Sequence, residues 1–166
     1  MDIRDPLHAW STICALVGHE IAAIATIYTV LTDEDNQHAL VGLQIMFARG
    51  DSLRLESDPA EQDLRAANKA WTAALGETPT DRFLLDVSGQ ERFSDLIGQT
   101  IQATYPIKTT NNWLSGARFE IGSNVLNFVI DWDECYVFWG DGSEFEIMLG
   151  TVDYEQGCKT GDEYPP

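Results

Sequence analysis

The sequence predicts an α+β fold in which antiparallel β-meanders pack with about three helices. Five runs after residue 100 alternate between Gly, Asn and Asp turns as half-buried strands do, and three earlier runs read as strands from β-branched content and hairpin punctuation. Three other segments repeat apolar residues at helical spacing behind capping signals. The composition supplies a core, with 44% apolar residues including five Trp, seven Phe and five Tyr. A chain of 166 residues fits one domain, or two intimately packed halves at 1–80 and 81–150 followed by a polar tail, 151–166.

Asp5-Pro6 opens the first helix, near 5–16, because a capping carboxylate followed by proline satisfies and presets the first turn. Leu7, Trp10, Ile13, Cys14 and Val17 form its apolar stripe, and Gly18 ends it. The β-branched run Ile21, Ile24, Ile27, Val30 predicts a long strand, with helix as the alternative that Ala22-Ala23 leaves open, and 32–37 an acidic turn. Leu40–Ala48 and Leu53–Glu56 are the arms of a hairpin turning at Arg49-Gly-Asp-Ser52. A second helix is expected from an Asp58 cap and Pro59 to Gly76, with acids in its first turn and Lys69 later, matching the helix dipole. Ser88 with Glu91 three residues on is a capping box, predicting a third helix over 88–97. Strands are then expected at 101–107, 117–121, 125–132, 135–139 and 145–149, after which the tail turns polar and frays from Thr151.

The two halves share a pattern. Leu16-Val-Gly-His-Glu-Ile21 parallels Leu96-Ile-Gly-Gln-Thr-Ile101, and Phe47, Gly50, Leu53, Leu55, Asp58 and Glu61 parallel Phe119, Gly122, Leu126, Phe128, Asp131 and Glu134. This alignment places one added residue in the second hairpin and about eight before the first hairpin. It implies two helix-plus-meander units.

Motifs that would carry catalysis are missing. His8, His19 and His38 have neither HExxH nor i, i+4 spacing, and the carboxylates of 131–142 lack the EF-hand order, so no metal or cofactor is expected. No GxSxG, phosphate-cradling glycine loop or cysteine-protease signature appears around Cys14, Cys135, Ser115 or Ser143. An enzyme is therefore not expected. Three cysteines without CxxC spacing argue against a disulfide framework and for a reducing cytoplasm. No signal peptide is evident, and Gly18, His19 and Glu20 interrupt the one apolar run long enough to suggest a membrane span.

Charge is the strongest functional signal. With 27 acidic and 10 basic residues the formal charge is −17, which repels phosphate and disfavours direct nucleic-acid binding. Its densest expression is Asp131–Glu146, with six carboxylates, five aromatics and no basic side chain. Strand alternation divides this stretch into a core-building face and a carboxylate-bearing one. Asp131, Asp133, Glu134, Asp141, Glu144 and Glu146, with Trp139 as an aromatic anchor, are the expected partner-binding residues.

In size, acidity, lack of a leader and lack of catalytic motifs, the whole chain resembles the small α+β immunity proteins of bacterial polymorphic-toxin systems. The resemblance implies tight one-to-one binding to a basic, nuclease-like toxin by occluding its active or substrate-binding surface. A second expectation from the charge is an acidic DNA mimic or adaptor that binds a nucleic-acid-handling protein.

Overall fold

The computed structural model describes residues 6–32, 37–58, 63–67, 82–111, 113–131, 134–141 and 150–160. One α-helix, α1 (Pro6–Cys14), precedes β1 (Ile21–Thr32), β2 (Gln37–Phe47), β3 (Ser52–Asp58), β4 (Asp63–Ala67) and β5 (Arg82–Asp86). A second series follows, with β6 (Ile101–Lys108), β7 (Leu114–Ile121), β8 (Asn124–Asp131), β9 (Glu134–Trp139), β10 (Thr151–Val152) and β11 (Cys158–Lys159). All pairings among the described strands are antiparallel. The sheets run β4-β3-β2-β1-β5 and β10-β6-β7-β8-β9, and β11 prolongs the β10 edge of β6.

The architecture is thus mostly β, and the expected α+β fold with about three helices is corrected. The helix expected over 58–76 is strand where the structure describes it: Leu64 and Ala66 bury themselves in the core while Arg65 and Ala67 are half-buried. Pairing of Ser57 with Leu64 and Leu55 with Ala66 overrides the helical propensity of Asp63-Leu-Arg-Ala-Ala67. The remainder of that expected helix, 59–62 and 68–76, lies outside the described residues. The capping box at Ser88 does not open an α-helix, and only a 3₁₀ turn forms at Ser94–Leu96. Ser88 is drawn elsewhere: its Oγ accepts from Ile24 N at 2.9 Å and is 3.3 Å from Ile24 O, prolonging the β1–β5 ladder through a side chain. The expected strand at 145–149 lies outside the described residues.

Two meanders, β1–β4 and β6–β9, repeat the same construction. Each begins at a glycine of positive φ, Gly18 at 92° and Gly98 at 82°, a conformation that costs glycine little. Each first hairpin carries register shifts at matching places, after Ile21 and Ile27 in one and after Ile101 and Ile107 in the other. Gly42 and Gly116 then occupy equivalent sites. A Cβ on either would strike a backbone carbonyl of the next strand, Leu55 O for Gly42 and Phe128 O for Gly116. These contacts correct the sequence alignment. Phe47 opposes Ile21 as Ile121 opposes Ile101, so Phe47 matches Ile121 rather than Phe119, and the longer hairpin turn is the first one. The helix-plus-meander unit is corrected as well, since only the first meander is preceded by an α-helix among the described residues.

The meanders are joined by their starting segments. Gly18 N donates to Ile101 O and Gly98 N to Ile21 O, both at 2.8 Å. Ile21 N donates to Gln99 O at 2.8 Å and Ile101 N to His19 O at 3.2 Å. These four bonds surround the Glu20–Thr100 bridge as a local two-fold axis. The sheets fold face to face from this junction over one core. Ile24, Ile45 and Leu55 enter it from the first sheet and Phe119, Leu126 and Phe128 from the second.

Helix α1 packs on β4 and buries Ala9 and Ile13 in the same core. Its last residue, Cys14, is disulfide-bonded to Cys158, which pairs with Thr104 of β6. The expectation that the cysteines stay unpaired is overturned, because the partners lie 144 residues apart and no short spacing marks them. Thr151–Lys159 is likewise held on the sheet edge and does not fray. Closing so long a loop restricts the unfolded chain by up to about 5 kcal/mol in the chain-entropy account. A C14S/C158S variant should therefore unfold in urea with about 2–5 kcal/mol less stability. Adding reductant should lower the wild type to the same level and leave the variant unchanged.

Candidate functional site

The turn end of β8 and β9 carries the described part of the acidic stretch. Antiparallel register sets Asp131 directly opposite Glu134, and both are exposed. Like charges so placed cost about 0.2–1 kcal/mol, so this pairing is not there for stability. Along β9 the side chains of Glu134, Tyr136 and Phe138 share the outer face of the second sheet. The Tyr136 hydroxyl donates to Glu134 Oε2 at 2.7 Å, and the Tyr136 and Phe138 rings lie 6.1 Å apart at 27°. The hydrogen bond fixes the carboxylate and phenol relative to one another. It is also the main cause of a Tyr136 pKa pushed up to about 12, followed by burial and then by repulsion from the charges of Glu134 and Asp131.

The outer face is not uniformly acidic. Val129 is fully buried there, in a second apolar cluster with Ala103, Tyr105, Ile107 and Val152, and Phe138 packs against it. Carboxylates are consequently confined to the rim. Asp141, beyond the other end of β9, is positioned by its backbone: Arg118 Nη1 donates to Asp141 O at 2.8 Å, and Asn127 Nδ2 donates to Phe138 O and Gly140 O. Arg118 is buried, and its guanidinium lies 5.7 Å from the Tyr154 ring. These two buried polar side chains pin the segment that leads into 142–149, which lies outside the described residues.

Of the expected partner-binding residues, the structure therefore brings Asp131 and Glu134 together and sets Asp141 at the far end of the same strand. Trp139 faces the other way. It packs half-buried against the main core, edge-on to Phe93 at 5.2 Å, with Arg92 over its ring at 5.7 Å. Asp133, Glu144 and Glu146 lie outside the described residues. Tyr136 was not singled out from the sequence, although its two-residue spacing from Glu134 carried the signal.

A cavity of about 380 Å³ opens on the first half, lined by Ser11, Thr12, Ala15, Leu16, His19 and Asp51. His19 Nδ1 is 3.2 Å from Asp51 Oδ2, close enough for an ion pair but not aligned as a hydrogen bond. The imidazole sits edge-on to Phe47 at 5.7 Å. Among the described residues, no cluster of three or more His, Cys, Asp or Glu side chains could hold a metal. Cys14, one of the two thiols weighed for nucleophilic chemistry, is in the disulfide, and Cys135 is buried. No helix among the described residues is long and apolar enough to cross a membrane. Comparison with family models, curated proteins and solved structures finds no match.

Because its folded pKa lies above the ordinary value of 10, the Tyr136 interaction contributes stability below pH 10 that is lost as pH rises toward 12. Tyrosinate absorbance of wild type and E134Q measures it. The variant should ionise one tyrosine at lower pH, nearer 10, and superimposable titrations would show that Glu134 does not hold the phenol.

Proposed function

We propose that this protein is an inhibitor that binds a basic protein through the rim of its second sheet, in the manner of an immunity protein neutralising a nuclease-like toxin. The observation that carries the proposal is the Asp131–Glu134 pair with Tyr136 bonded to Glu134. Two exposed carboxylates held face to face are strained alone and relieved when a Lys or Arg side chain sits between them. The phenol bonded to one of them, with Phe138 stacked behind, supplies the rigid aromatic surface that sets dissociation rates at interfaces.

The formal charge of −17 acts at longer range. Such a field steers a basic partner and raises association from about 10⁵–10⁶ toward 10⁸ M⁻¹s⁻¹ at low salt. Carboxylates along a rim also compete with phosphate for a basic cleft, which is how occlusion of a nuclease would work. As for compartment, the Cys14–Cys158 disulfide favours an oxidising setting over the cytoplasm expected from the cysteine count.

The test uses a partner captured from the source cell on immobilised wild-type protein. Association of that partner with wild type and with D131N/E134Q is then followed at low and physiological ionic strength. The variant should associate several-fold more slowly with a shallower salt dependence, while circular dichroism shows it folded. Identical association rates at both ionic strengths would remove the rim from the interface.

A further inference from the structure

Strand β5 is the free edge of the first sheet: no described strand pairs with its outer side. Edge strands usually carry charge, proline or a bulge that discourages further pairing. β5 reads Arg82-Phe-Leu-Leu-Asp86 and leaves Phe83 37% and Leu85 42% exposed. Phe83 stacks on Tyr28 at 5.6 Å, while Leu84, on the opposite face, packs with Ile27 and Val41.

The other half of the molecule shows how the same place is treated when it is closed. Ile27 faces Leu84, and its counterpart Ile107 faces Val152. At the positions of Phe83 and Leu85 stand Thr151 and Asp153. Asp153 caps the 3₁₀ turn Tyr154–Gln156 by accepting from Glu155 N and Gln156 N, and it pairs with Lys108 at 3.4 Å. Tyr154 covers Tyr105 at 5.0 Å. The second edge is interrupted and polar, whereas the first is regular and leaves Phe83 and Leu85 exposed between two charged residues.

The ladder fixes which backbone groups of β5 point outward. Val87 N donates to Ile24 O at 3.0 Å, and the alternation of an antiparallel pair then turns Leu85 and Phe83 toward β1. The N–H and C=O groups of Arg82, Leu84 and Asp86 consequently face away from the sheet. Two copies of such a strand, antiparallel and centred on Leu84, are complementary in every position. Leu84 meets Leu84 as a hydrogen-bonded pair, Phe83 meets Leu85, and Arg82 meets Asp86, residues of opposite charge.

We infer that the chain forms a two-fold homodimer by β5-to-β5 pairing, which joins the two five-stranded first sheets into one continuous sheet and covers Phe83 and Leu85. Two bodies of charge −17 repel each other, so the dimer strengthens as salt screens them. That is the opposite of the salt dependence proposed for the basic partner, and it separates the two surfaces experimentally.

Sedimentation velocity of the full chain over a concentration series at low and high salt tests the inference. Wild type should dimerise, more so at high salt. R82E and D86K should each be monomeric under the same conditions, because each sets like charges opposite one another across the two-fold axis. An equimolar mixture of the two variants should dimerise. There the two substituted side chains meet as an acid and a base, and the Asp86 retained by one chain meets the Arg82 retained by the other. Circular dichroism verifies that both variants fold. D86K also loses the acceptor for Ser88 N, so amide exchange in the wild type provides a reading free of substitutions. The Leu84 amide should exchange more slowly as concentration rises. A wild type monomeric throughout, variants that dimerise like it, or a dimer whose Leu84 amide exchanges as in the monomer would each overturn the inference.

Discussion

Four backbone hydrogen bonds between Gly18–Ile21 and Gly98–Ile101 organise everything else in this protein. They join the first residues of β1 and β6, so that each meander leaves the junction in its own direction and folds back over a shared core. Neither meander could bury its apolar face alone. A sheet with one apolar face needs a second layer, and here that layer is the other half of the same chain. The junction works because Gly18 and Gly98 take positive φ and because Ile21 and Ile101, fully buried, anchor the ladder on the core side. Leu16 and Leu96, also buried, close it from before the turn.

Symmetry at the junction makes the differences between the halves informative. One half begins with α1 and ends its sheet at a regular strand, β5. The other begins with a turn and ends in β10 and β11, interrupted by a capped 3₁₀ turn. The Cys14–Cys158 disulfide ties the special feature of the first half to the special feature of the second. Charge is distributed unequally too. The Asp131–Glu134 pair occupies the place of Asp58 and Asp63 in the repeat, and in both halves two acidic residues are cross-strand partners where the third strand turns into the fourth. What the second half adds is Tyr136, where the first has Arg65.

Much of this was legible in the sequence. Strands β1, β2, β3 and β6–β9, helix α1 and the repeat Leu-x-Gly-x-x-Ile all follow from periodicity and punctuation, because alternation and turn glycines are local properties. The failures are equally physical. Residues 63–67 satisfy both a helical and an alternating pattern, and only the presence of β3 beside them decides between the two. Ser88 caps a strand ladder instead of a helix because Ile24 lies within reach of its hydroxyl, a contact spanning 64 residues. The disulfide links residues farther apart still. For the candidate site, periodicity separated the faces of β8 and β9 but could not show that Val129 and Asn127 are buried on the outer face, which leaves the acids only the rim.

A junction on which both meanders depend is the last element of the native state to open. Native-state hydrogen exchange at the amides of Gly18, Ile21, Gly98 and Ile101 tests this most directly. If the two meanders are one cooperative body built on this ladder, all four amides exchange together, only through global unfolding, and with the free energy measured by denaturant. Exchange of one meander's pair at a distinctly lower free energy than the other's would contradict the account, because the halves would then be separately stable and the junction merely a contact between them.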